Sequence, residues 1–252
     1  MRLLLWAECQ KLRRSNIVLF TVFSAVLLAV FVLISEQTAA DNGQAAIHTP
    51  GWYMTVTQVW STLFAVPATI ALLGSYLICR EEQDDTMKTL RIIPVSETKL
   101  TAAKMTVTFI FSILIYLLLF VITCLTEAAL HFSALSMEMI LKFLKMYLLD
   151  GIGVFAASSP IIVLIPYLKK SYWLALVLAE IYSFAGIFTS MSNVTKTFYP
   201  ISAVFGVSGY YDTTPQGMIG SCVSLLLCAC LTVILLGIQN RAAKKASGID
   251  NF

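Results

Sequence analysis

The sequence predicts an all-α membrane protein, and three observations carry that reading. Of its 252 residues 58% are apolar and only 12% are charged, about half the ~25% charge of a soluble domain. The mean hydropathy is +0.83, and the apolar residues fall into long blocks rather than a period-2 or period-3.6 pattern. The lysines and arginines gather between alternate blocks. A water-soluble globule, a disordered chain and a disulfide mini-protein are all excluded.

Six blocks, residues 17–34, 56–79, 105–126, 143–167, 172–190 and 217–238, are long enough to cross a ~30 Å hydrocarbon core as helices of ~17–25 residues. Helices are required because an unpaired peptide group in hydrocarbon costs several kcal/mol. The strict alternation of a lipid-facing barrel strand is absent. Arg13 and Arg14 precede the first block, which is about twice the ~7–15-residue apolar core of a signal peptide. It reads as an uncleaved span.

Charge sets the orientation. Fourteen of the 17 lysines and arginines lie in the N-terminal segment, the loops after the second and fourth spans, and the C-terminal segment. Only Lys142, Lys145 and Lys196 lie on the other side, so both termini are expected in the cytoplasm. Trp52, Tyr53 and Trp60 mark the outer interface of the second span, and Tyr167, Tyr172 and Trp173 the inner turn after the fourth. Pro67, Pro160 and Pro166 are expected to kink or end their helices. The six cysteines lie in or beside apolar runs without CxxC spacing and read as small buried hydrophobes. Residues 1–252 form one domain, with no internal repeat.

Between the spans, residues 1–16 suit a short helix lying in the inner interface with its basic side chains toward lipid phosphates. After the second span, Glu81, Glu82, Asp84 and Asp85 precede Lys88 and Arg91, an order that suits the helix dipole, and Asp84–Lys88 is an i,i+4 pair. This predicts a short cytoplasmic helix over 84–93, ended by Pro94. Its Met87, Leu90 and Ile93, apolar beside so many charges, point to a docking surface. Ser96 caps a new helix running through Lys104 into the third span, about 30 residues or ~45 Å in all. Residues 35–55 read as a polar outer loop. Residues 189–216 are too apolar for a plain loop and too short for two spans, which predicts short re-entrant or interfacial helices.

The chemistry on offer is sparse. The two histidines, His48 and His131, fall in or near outer connections, and no HExxH, GxSxG or metal-ligand spacing appears. No catalytic residue and no metal site is assigned, and a net charge of +3 gives no reason to expect nucleic acid. Two acids fall inside spans, Asp150 and Glu180. Each is either part of a substrate or proton pathway or a structural hydrogen-bonding group facing serines such as Ser158, Ser159 or Ser183. No GxxxxGK[ST] occurs, so ATP-driven transport needs a second polypeptide. The alternative is a proton-coupled secondary transporter using Glu180.

At the level of motifs the chain resembles permease subunits of the ABC-2 type. The N-terminal Leu5, Glu8, Lys11, Arg13 and Arg14 are similar to that family's basic amphipathic entry helix. Glu81, Thr86, Leu90, Pro94, Val95, Ser96 and Lys104 are similar to its E-x4-T-x3-L-x3-P-V-S…K segment, with Asp85 and Glu97 as acidic departures. The size and N-terminal sequence look most like bacterial permeases that protect against bacitracin or lantibiotics. The resemblance implies a bacterial cell-membrane exporter of antimicrobial peptides, conferring self-immunity or resistance. It would be built from two cytoplasmic ABC ATPase subunits and two permeases, the second a copy of this chain or a related one. The chain itself would bind no cofactor; ATP and Mg would enter through the ATPase partner. The ATPase-coupling residues it implies are Glu81, Asp84, Asp85, Thr86, Met87, Leu90, Arg91 and Pro94. Peptide drawn sideways from the lipid would pass a lateral gate at Phe198, Tyr199, Phe205, Tyr210 and Tyr211.

Overall fold

The computed structural model describes residues 2–13, 15–41, 49–83, 97–167, 172–192 and 194–246, and among them every regular element is helical. The chain opens with α1 (Arg2–Arg13) and α2 (Asn16–Asp41). A second long segment follows in three pieces: α3 (Trp52–Trp60), a π-helical turn (Ser61–Ala65) and α4 (Val66–Gln83). Then come α5 (Glu97–His131), a 3-10 turn (Phe132–Ala134), α6 (Met137–Tyr167) and α7 (Trp173–Thr189). Two short helices, α8 (Thr195–Phe198) and α9 (Pro200–Ser208), lead into α10 (Pro215–Ala246).

By length and composition, five of these are able to cross a membrane: α2, the α3–α4 segment, α5, α6 and α10. The sixth expected span, α7, is a 17-residue apolar helix, about 25 Å long at 1.5 Å per residue. The long helix predicted from Ser96 into the third span is present as the 35-residue α5. The predicted helix over 84–93 lies outside the described residues.

The prolines and cysteines can be set against expectation. Helix α6 runs through Pro160 and ends one residue after Pro166. Pro67 does mark an irregularity, since it follows directly on the π turn. Proline has no N–H to close an ordinary turn, and a wide turn lets the helix continue past it. None of the six cysteines forms a disulfide, but only Cys79 is buried as expected: Cys124, Cys222 and Cys228 are partly exposed, and Cys9 and Cys230 are exposed.

The core sits along the α4–α5–α6 interface, with Tyr116, Leu119, Tyr147, Ile162 and Ile165 fully buried. Leu19, Phe23, Leu27 and Phe31 on α2, and Leu226, Leu227, Val233 and Ile234 on α10, are exposed, as apolar faces turned to lipid are. Helix α9 is folded into the bundle against α6 and α10. Glycine allows that approach: a Cβ at Gly153 would stand 2.9 Å from Val204 Cγ1, and one at Gly206 2.5 Å from Ser221 Oγ.

Candidate functional site

The two motif-bearing stretches meet at one end of the bundle. Glu81 occupies the last turn of α4, Lys104 the second turn of α5, and Glu8 and Lys11 successive turns of α1. The Lys104 ammonium donates to Glu81 Oε2 at 2.7 Å, and Lys11 donates to Glu81 Oε1 at 2.8 Å and to Glu8 Oε1 at 2.7 Å. Glu8, Glu81 and Lys104 are 2%, 5% and 4% exposed. Among the described residues two carboxylates face two ammonium groups here, a balance of charge under which burial is tolerated. Beneath it Leu12 packs with Leu73, Leu77 and Val107, stapling α1 to α4 and α5.

Burial works against the Lys11 ammonium, but its contacts with Glu8 and Glu81 outweigh that and hold its pKa above the ordinary lysine value. Lys11 therefore turns inward to these carboxylates rather than toward lipid phosphate as expected. Trp6, 66% exposed on α1, is the side chain placed to enter an interface.

Along the chain the junction residues Glu81 and Lys104 flank the segment that carries the remaining coupling candidates. Asp84, Asp85, Thr86, Met87, Leu90, Arg91 and Pro94 lie outside the described residues. What is on view is their anchorage, with Glu81 just before them and Lys104 just after, joined by an ion pair.

In the middle of the bundle Asp150 is fully buried on α6 and accepts a 2.6 Å hydrogen bond from Gln58 Nε2 on α3. Its partner is Gln58, not the serines suggested by sequence; Ser159 instead bonds Thr232 at 2.7 Å. Around it Tyr116 and Thr62 share a hydrogen bond of 2.9 Å, and Tyr147 donates to Met54 O at 2.8 Å. Glu180 on α7 is only half-buried, and no hydrogen bond joins it to Ser158 or Ser183 among the described residues.

At the opposite end Glu127, fully buried on α5, accepts the Gly51 N–H at 2.7 Å and faces His131 Nδ1 at 2.9 Å. Gly51 has φ +81°, a left-handed turn that glycine adopts without a Cβ penalty. It borders an open cleft of about 480 Å³ between Trp52 and Thr55 on one wall and Met139, Lys142 and Phe143 on the other.

The lateral-gate candidates separate. Phe198 is 62% exposed, whereas Phe205 is fully buried, its ring 5.1 Å from that of Tyr210 and 5.5 Å from that of Tyr211. Tyr199 donates its hydroxyl to Tyr182 O on α7, and Lys196 lies 5.2 Å over the Tyr211 ring.

Sequence reasoning missed Gln58 and Glu127 as bonding partners. A glutamine in an otherwise apolar block was the available signal for the first. For the second it was the i,i+4 spacing of Glu127 and His131.

Comparison with known proteins agrees with this architecture. The family model for ABC-2 family transporter proteins matches residues 4–186. The bacitracin transport permease protein BCRB of Bacillus licheniformis is 30% identical over 146 residues, 58% of this chain and 69% of that protein. No solved structure matches.

Proposed function

Because the chain belongs to the ABC-2 family of transporter proteins, a multi-pass plasma-membrane permease of the bacitracin-resistance kind, we propose that it forms the membrane path of an exporter removing membrane-active antimicrobial peptides. The family implies an ATP-binding subunit as partner, and the chain is the membrane subunit rather than the ATPase. On this reading α7 is the sixth span, both termini are cytoplasmic, and two ATPase subunits act on two permeases, each a copy of this chain or one paired with a relative. ATP and Mg bind in the ATPase.

The observation that carries the reading is the Glu81-centred junction. Closure of the ATPases pushes the 84–93 segment, with Thr86, Met87, Leu90 and Arg91 as its contact residues. The Glu81–Lys104 and Glu81–Lys11 pairs pass the push into α4, α5 and α1. Coupling of this kind requires contacts that differ between two states. Phe198 and Tyr199, at the foot of the folded-in α9, border the route by which peptide enters from the lipid.

The test is co-expression with the ATP-binding subunit. Leu90→Asp is expected to leave the permease expressed but to abolish peptide protection while ATP hydrolysis continues. Unchanged protection refutes the coupling assignment. Transport of peptide by the purified chain alone, driven by a proton gradient and lost in Glu180→Gln, refutes the ATP-driven reading itself.

A further inference from the structure

The Asp150–Gln58 pair is incomplete as it stands. Gln58 Nε2 donates to Asp150 Oδ2, yet Asp150 Oδ1 and Gln58 Oε1, both fully buried, have no hydrogen-bond partner. Two acceptors left over on one carboxyl–amide pair are what remains when a single hydrogen atom is missing between them. A protonated carboxyl group has one O–H donor, and an acid facing a primary amide forms a cyclic pair, N–H to one oxygen and O–H to the other. We propose that Asp150 is a proton-binding site, holding its proton on Oδ1 and donating it to Gln58 Oε1, and so latching α3 to α6 inside the membrane.

The rest of the surroundings fits a neutral acid. The opposite amide orientation would set two oxygens 2.6 Å apart, which also requires a proton between them. Among the described residues no lysine, arginine or histidine pairs with Asp150. The titratable groups that face it are the phenols of Tyr116 on α5 and Tyr147 one turn earlier on α6. From α9 the Ser208 hydroxyl, placed on Phe205 O at a long 3.5 Å, stands within reach of the carboxyl group as a second donor. A carboxylate there would keep one N–H donor in a medium without water, a costly state. When the proton leaves, Asp150 Oδ1 and Gln58 Oε1 lose the bond between them, and the latch is reduced to the single N–H bond from Gln58 to Oδ2. Gln58 lies three residues before the π turn, so this loosening reaches the helix where its hydrogen bonding is already irregular. The proposal does not depend on which substrate the permease carries.

Infrared spectroscopy of the purified full chain in lipid nanodiscs tests it, with aspartate labelled at its side-chain carboxyl carbon. The chain has six aspartates, of which Asp150 alone falls within a predicted span, so one carboxylic-acid carbonyl band carrying the isotope shift is expected at neutral pH. That band should vanish in Asp150→Asn and move to higher frequency in Gln58→Leu, where its hydrogen-bonding partner is gone. Asp150→Asn, which keeps an amide–amide pair, should unfold near the wild-type temperature, whereas Asp150→Leu should not. If the labelled wild-type protein shows only carboxylate stretches at neutral pH, the proposal is overturned, whether or not the variants fold.

Discussion

Replacing Lys104 by methionine keeps the length of the side chain and removes its charge. Glu81, 5% exposed, then keeps Lys11 as an ammonium partner among the described residues. Removing one partner of a buried pair costs about 3–5 kcal/mol, and the retained Lys11 contact places Lys104→Met at the low end, about 3 kcal/mol. For a chain of this size each kcal/mol lowers Tm by about 2–4 °C, so a fall of about 6–12 °C is expected. Glu81→Gln strands the Lys104 ammonium and should cost a similar amount. The double variant strands neither charge, and its cost should stay near about 3 kcal/mol instead of the sum of the two. Thermal unfolding in detergent, followed by thiol labelling of Cys79, 3% exposed and two residues from Glu81, reads the transition where the pair sits. If the two single costs add in the double variant to within about 0.5 kcal/mol, the ion pair does not join α4 to α5 and the junction is not a coupling element.

Further predictions follow from the same geometry. Gly51→Ala forces a residue with a Cβ to φ +81° and brings that atom 3.2 Å from Phe143. It should cost about 1–2 kcal/mol, seen as a lower unfolding temperature, and weaken the hold of Glu127 on the start of α3. The raised pKa of Lys11 gives a sign for alkaline behaviour. Its contribution is fully present below the ordinary lysine value of 10.5 and is lost as the pH rises through the higher folded value. Unfolding temperature measured against pH should therefore fall more steeply on the alkaline side in wild type than in Lys11→Met; parallel curves would show that Lys11 does not hold the junction.

Much of this architecture was legible in the sequence because lipid imposes simple rules. Long apolar blocks must be helices, so α2, α5, α6 and α10 stood out, and Ser96 ahead of an unbroken helical stretch announced the length of α5. Glu8, Lys11, Glu81 and Lys104 were each visible as motif positions. Their meeting was not, since which helix ends touch depends on packing and not on spacing along the chain. Asp150 was conspicuous as an acid in a span, but its partner lies 92 residues earlier in the sequence, beyond any local pattern. Phe205 was grouped with the other aromatic side chains of its segment as a gate candidate, since only packing separates it from the exposed Phe198. Gly153 and Gly206 let α9 sink into the bundle and took Phe205 with it. Glu127 lies one residue past the apolar block 105–126, and α5 continues beyond it to His131.

The wide turn at Ser61–Ala65 divides one crossing into two parts with separate allegiances. Above it Gln58 is tied to α6; below it Glu81 is tied to α5 and α1. In an α-helix one residue is about 100° of rotation, so a π turn, which takes up one extra residue, sets the side chains after it on a different face from the one an unbroken helix would present. A bend at this place would only tilt the rod. An inserted residue changes instead which side chains the two parts present, and here they bond different helices, Gln58 to α6 and Glu81 to α5 and α1.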